Sequence, residues 1–64
     1  MFGEFVGKQI KVVFQDGRQT KVVRGILTEI EGGFLRVGFP DGKSMYVRVG
    51  AVSRINEAGG GGHG

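Results

Sequence analysis

Cysteine and tryptophan are absent from this 64-residue chain, and proline and histidine occur once each, as Pro40 and His63. Without cysteine there is neither a disulfide scaffold nor a thiolate zinc site. The same absence fits a reducing compartment, so a cytoplasmic location is the expectation. A lone histidine cannot build a metal centre, and it leaves Ser44 and Ser53 without a base to activate them. Glu29 and Glu31 share a strand face and Asp16 and Asp41 sit at turns, but nothing assembles them into an acid–base pair. The chain is therefore not expected to be an enzyme, nor to hold a cofactor, a metal or a small-molecule substrate. No apolar run approaches the roughly 18 residues that span a membrane. The start Met1-Phe2-Gly3-Glu4 also lacks a basic leader, so neither membrane insertion nor export is expected. Negative charge is scarce as well: six Asp and Glu stand against nine Lys and Arg, for a formal charge of +3 and a pI near 9.8. That bias permits attraction to phosphates without requiring it.

A chain this short buries only about 60% of the surface that it exposes when unfolded. Small domains offset a thin core with disulfides, metals or partner subunits. With the first two excluded, self-association is the remaining means.

Glycine, by contrast, is plentiful, at 14 residues. Several of these close the chain at its end, so residues 58–64 read as a flexible tail behind a single domain over residues 1–57. Others punctuate strands. Ile10, Val12 and Phe14 alternate with Lys11, Val13 and Gln15, the period of a strand with one face on a core. Asp16-Gly17 then predicts a tight turn. A long β-branched run from about Thr20 to Glu31 carries Gly25 inside it, the mark of a bend, a bulge or a close backbone approach. Gly32-Gly33 turns the chain into a strand over Phe34–Phe39, Pro40-Asp41-Gly42 turns it again into Lys43–Val49, and Val52–Ile55 forms a short last strand. Phe2, Phe5 and Val6 suit one short helical turn over a barrel end. At an offset of 25 residues the chain resembles itself: Val13-Phe14-Gln15-Asp16-Gly17 lies over Gly38-Phe39-Pro40-Asp41-Gly42, Gly25 over Gly50 and Thr28 over Ser53. The fold predicted is all-β, a small, strongly bent, five-stranded antiparallel barrel of the SH3-like size class.

Val6 to Asn56 resembles the Sm/LSm family, which includes the bacterial RNA-chaperone branch. The likeness rests on Val23-Arg24-Gly25-Ile26-Leu27-Thr28-Glu29-Ile30-Glu31, similar to the first Sm motif, and on Tyr46-Val47-Arg48-Val49-Gly50-Ala51-Val52-Ser53-Arg54-Ile55, similar to the second. Two departures stand out. Val49 separates Arg48 from Gly50, where the family places glycine directly after arginine. The base-binding loop, Glu31-Gly32-Gly33-Phe34, is one residue shorter, with Phe34 where asparagine is expected.

The resemblance implies a homo-oligomeric ring of roughly five to seven subunits, closed when the fourth strand of one barrel pairs with the fifth of the next. Val47, Val49, Val52 and Ile55 are the candidate interface residues. It also implies single-stranded RNA bound by pore-side loops, with Arg48, Phe34, Glu31, Gly50 and Tyr46 as candidates. A guanidinium suits phosphates and base edges, and an aromatic ring can stack a base. Each has a plainer alternative: Arg48 paired with Glu29 or Glu31 or simply solvated on a strand face, Phe34 in the core or at an interface, Tyr46 at a subunit interface. The competing function is a structural or protein-interaction module on the same barrel that does not bind RNA.

Overall fold

A computed structural model describes residues 2–58; the expected tail lies outside the described residues beyond Ala58. Five antiparallel strands form one sheet: β1 (Gln9–Asp16), β2 (Gln19–Glu31), β3 (Phe34–Gly38), β4 (Ser44–Arg48) and β5 (Val52–Glu57), in the order β4-β3-β2-β1-β5. A 3₁₀ turn at Gly3–Phe5 precedes them, and a second, Val49–Ala51, links β4 to β5. The all-β, five-stranded reading and the short N-terminal turn are what the chain adopts. Phe5 from that turn and Phe2 just before it pack against the core.

The β2 strand is the spine. Its first part, Gln19 to Ile26, pairs with β1, and its second part, Ile26 to Glu31, pairs with β3. Such a handover requires the sheet to fold over on itself, and the residue at the fold is Gly25, whose place there has a steric cause. A β-carbon at Gly25 would lie 2.6 Å from the Gly38 carbonyl oxygen and 2.7 Å from Val37 Cγ1. Only hydrogen fits.

Two bulges sharpen the curvature. Leu27 faces Val37 while Glu29 faces Arg36, which leaves Thr28 as an extra residue in β2. Val13 faces Arg54 while Phe14 faces Val52, which leaves Ser53 as an extra residue in β5. Thr28 and Ser53 are the pair that the 25-residue offset superimposes, so the internal likeness extends to the irregularities of the ladders. An extra residue bends the strand that carries it and raises its local twist.

The turns follow the glycines, with one shift of frame. Glu31 pairs with Phe34 across Gly32 and Gly33, both at positive φ (61° and 83°), the two-residue I′ arrangement. At the first hairpin, Asp16 remains in the strand opposite Gln19, and the turn proper is Gly17-Arg18, with only Gly17 at positive φ. That is the II′ pattern, in which glycine takes the first central place, so Asp16 need not enter the left-handed region. At the third hairpin the Gly42 N–H bonds the Phe39 carbonyl at 3.0 Å, and Asp41 Oδ1 accepts the Lys43 N–H at 2.9 Å.

Ile10, Val12, Phe14, Leu27, Leu35, Val37 and Val47 form the core. Five of them, Ile10, Val12, Leu27, Leu35 and Val37, are wholly shielded from solvent, each contributing about 1.5–3 kcal/mol relative to exposure. Backbone bonds extend the ladders at both ends. The Leu27 N–H bonds the Lys8 carbonyl (3.1 Å) and Gly7 N–H the Leu27 carbonyl (2.7 Å), while Ala58 N–H reaches the Gln9 carbonyl (2.7 Å). The surface ion pairs Lys8–Glu57 (3.6 Å) and Lys21–Asp16 (2.6 Å) are half exposed and add little.

Gly25→Ala is expected to lower unfolding free energy by about 1–3 kcal/mol through overpacking. Gly50→Ala, where a β-carbon meets nothing within 4 Å, should stay within about 0.5 kcal/mol of the parent. Urea unfolding followed by circular dichroism distinguishes the two, and equal losses would remove the steric role of Gly25.

Candidate nucleic-acid interface

The candidates converge on the outer face of β2, β3 and β4. Strand register aligns Glu31 with Phe34 and Phe34 with Arg48, so an acid, an aromatic ring and a guanidinium occupy one row across three strands. The next row holds Glu29, Arg36 and Tyr46. Side chains two apart on a strand point to the same face, which brings Tyr46 alongside Arg48 and Phe34 alongside Arg36.

Phe34 and Tyr46, on adjacent strands one row apart, meet edge to face, with ring centroids 6.5 Å apart and planes at 88°. Both remain open to solvent, at 41% and 60% of their surface. Phe34 is thus a surface ring in the single chain, not a core residue. Arg36 is steadied from the side by Nε donating to Ser44 Oγ (3.4 Å), while its carbonyl accepts from Thr28 Oγ1 (3.1 Å). The bulge at Thr28 therefore also ties down β3.

The end of β4 is held by main chain. Val49 N–H donates to the Gly33 carbonyl at 2.8 Å, which fastens the 3₁₀ turn after Arg48 to the hairpin before Phe34. Beside this tie lies an open groove of about 340 Å³ whose lining includes Phe34, Tyr46 and Arg48 on one side and Phe14, Gln15 and Asp16 on the other. It follows the free edge of β4, where the sheet does not close onto β5. Asp16 on the rim is paired with Lys21, and Arg48 makes no ion pair among the described residues. Of its two plainer alternatives, the pair with Glu29 or Glu31 is not formed there, Phe34 standing between Arg48 and Glu31 in the row, while the exposed side chain agrees with a solvated position.

Four of the five nominated residues share this face. Gly50 does not; it lies in the 3₁₀ turn, exposed, without positive φ. The four valine and isoleucine candidates for a subunit contact are placed differently from a free apolar edge. Val47 is 2% exposed and belongs to the core, and Val49, Val52 and Ile55 are half-buried against it. What β4 and β5 offer a neighbour is their outer main chain, since each has a strand on one side only. Missed from sequence were Phe14 and Gln15 as the far wall of the groove. Strand period marks them as facing opposite ways, and only the approach of the β1 end to β4 puts both on one rim.

Among the described residues no three His, Cys, Asp or Glu side chains gather as a metal site, and no helix is long and apolar enough to cross a membrane. No family model matches the chain, and no curated protein or solved structure is significantly similar to it.

The Phe34–Tyr46 contact is expected to carry a coupling of about 0.5–1.5 kcal/mol, measured by a double-mutant cycle of Phe34→Leu and Tyr46→Leu on unfolding free energy. Arg48→Ala, which removes an exposed charge that is unpaired among the described residues, should change stability by no more than about 0.5 kcal/mol. Loss of binding in that variant would then report on a ligand and not on the fold.

Proposed function

We propose that this chain is an Sm-like subunit that joins copies of itself edge to edge and binds single-stranded RNA beside the joint. The observation that carries the reading is the exposed set Arg48, Phe34 and Tyr46 around a groove on a free strand edge. Edge strands with unpaired amides are templates for another strand, and β4 and β5 are the two ends of this sheet. Pairing β4 of one copy with β5 of the next uses both edges, and repetition closes a ring when the rotation permits it. Arg48 then recurs around an axis and its charge is multiplied. Stacking on Phe34 or Tyr46 tolerates any base, because every base has a π-face.

The second reading, a barrel that assembles without RNA, is favoured by one observation. The rows on this face balance, Glu31 against Arg48 and Glu29 against Arg36, so the face carries no net charge to attract phosphate.

Light scattering should give a mass of five or more subunits, and a fluorescent oligo-U should bind with salt dependence. Arg48→Ala is expected to weaken that binding about tenfold and to reduce the salt slope by about one phosphate contact per RNA-engaged subunit. A strict monomer counts against the ring. An intact oligomer that ignores oligo-U and oligo-A at low salt leaves the interaction module.

A further inference from the structure

The other outer face of the barrel, built by β1, the first part of β2 and β5, has a different chemistry. Its rows, read from the register, are Gln9 with Ile26; Asn56, Lys11 and Arg24; Arg54, Val13 and Val22; and Gln15 with Thr20. No carboxylate holds a position in them. Lys11 and Arg24 are directly opposed, and like charges so placed are destabilising. Arg24 and Arg54 make no ion pair among the described residues. On either side of Arg24 along β2 lie exposed aliphatic groups, Val22 at 51% and Ile26 at 46%. The six aromatic residues of the chain are all elsewhere.

We propose that this face docks an acidic amphipathic helix of a partner protein. Phosphates alone would satisfy Lys11 and Arg24 but would leave Val22 and Ile26 in water, and no ring is present to stack a base. A partner must therefore bring carboxylates and aliphatic groups together. An extended peptide laid on a sheet face would find no main-chain partners there, whereas a helix satisfies its own and packs on sheets as a layer. The spacings are close without matching: rows on one face recur about every 6.4–6.8 Å along a strand, and helical positions four apart about every 6 Å. Along β2 the order is apolar at Ile26, cationic at Arg24, apolar at Val22. A helix with leucine, glutamate and leucine on three successive turns complements it. The inference is independent of RNA binding at the β4 edge.

The probe is a fluorescein-labelled, alanine-based peptide of about 18 residues, long enough to hold a helix, with leucine and glutamate so placed. A scrambled isomer of equal charge is the control. Anisotropy should show at least about tenfold tighter binding of the patterned peptide. Val22→Thr with Ile26→Thr, which keeps β-branched side chains and the fold as checked by circular dichroism, should weaken it about tenfold, and Arg24→Gln about threefold or more. Excess oligo-U should not displace it. Equal binding of the scrambled isomer, indifference to the Val22/Ile26 variant, or displacement by oligo-U or by phosphatidylserine vesicles would each overturn the proposal. The last two results would assign the face to nucleic acid or to membrane. Arg48→Ala should leave the peptide's affinity unchanged while affecting oligo-U, so the two sites fail separately.

Discussion

One close approach organises the molecule: the Gly38 carbonyl and the Val37 side chain lie against Gly25 at distances no β-carbon would allow. Because of it, a strand of 13 residues can serve β1 with its first part and β3 with its second. Leu27, Leu35 and Val37 are thereby folded over Ile10, Val12 and Phe14. A flat sheet of the same strands would have one apolar face and nothing to cover it. Bending β2 makes the sheet its own second layer, which is how a cysteine-free chain of this size obtains wholly buried side chains.

The same bend produces two outer faces that share a strand and little else. On the β2–β3–β4 side, each cation has an acid in its row and each row carries an aromatic ring. On the β1–β2–β5 side, cations stand with aliphatic groups and without acids. The modest net charge of the whole chain therefore conceals an uneven distribution. Lys11 and Arg36, equivalent in the internal repeat, end on different faces with different neighbours: Arg24 and Asn56 for the first, Glu29 and Tyr46 for the second.

Much of this was legible in the residues. Period-two alternation and glycine turns identify all five strands to within a residue or two, because a strand with one buried face leaves its pattern in local sequence. Gly25 is readable as a bend for the same reason. Less local features were not. Whether Asp16 or Arg18 completes the first turn depends on the ladder register, which dipeptide preference does not specify. Val47 reads as an edge valine until β4 is laid over Leu35, its cross-strand partner, and is then core. The repeat aligns Thr28 with Ser53, yet a bulge is a relation between two strands and is invisible in either one. The groove is further still from the sequence, since it exists only where the end of β1 comes near β4.

The pairing of β1 with β5 has a consequence in time. Every other ladder joins strands adjacent in sequence, β1 to β2, β2 to β3, β3 to β4, and such hairpins form on their own in microseconds. The β1–β5 ladder instead brings Ile10 to Glu57 and needs nearly the whole chain. Closing that long loop carries an entropy cost before any contact offsets it, so non-local pairing governs how fast such a domain folds. Until β5 docks, the outer edge of β1 is an unfilled strand position, open to the β5 of any other copy nearby. Speed of closure, and not only stability once closed, therefore determines whether each chain completes its own barrel.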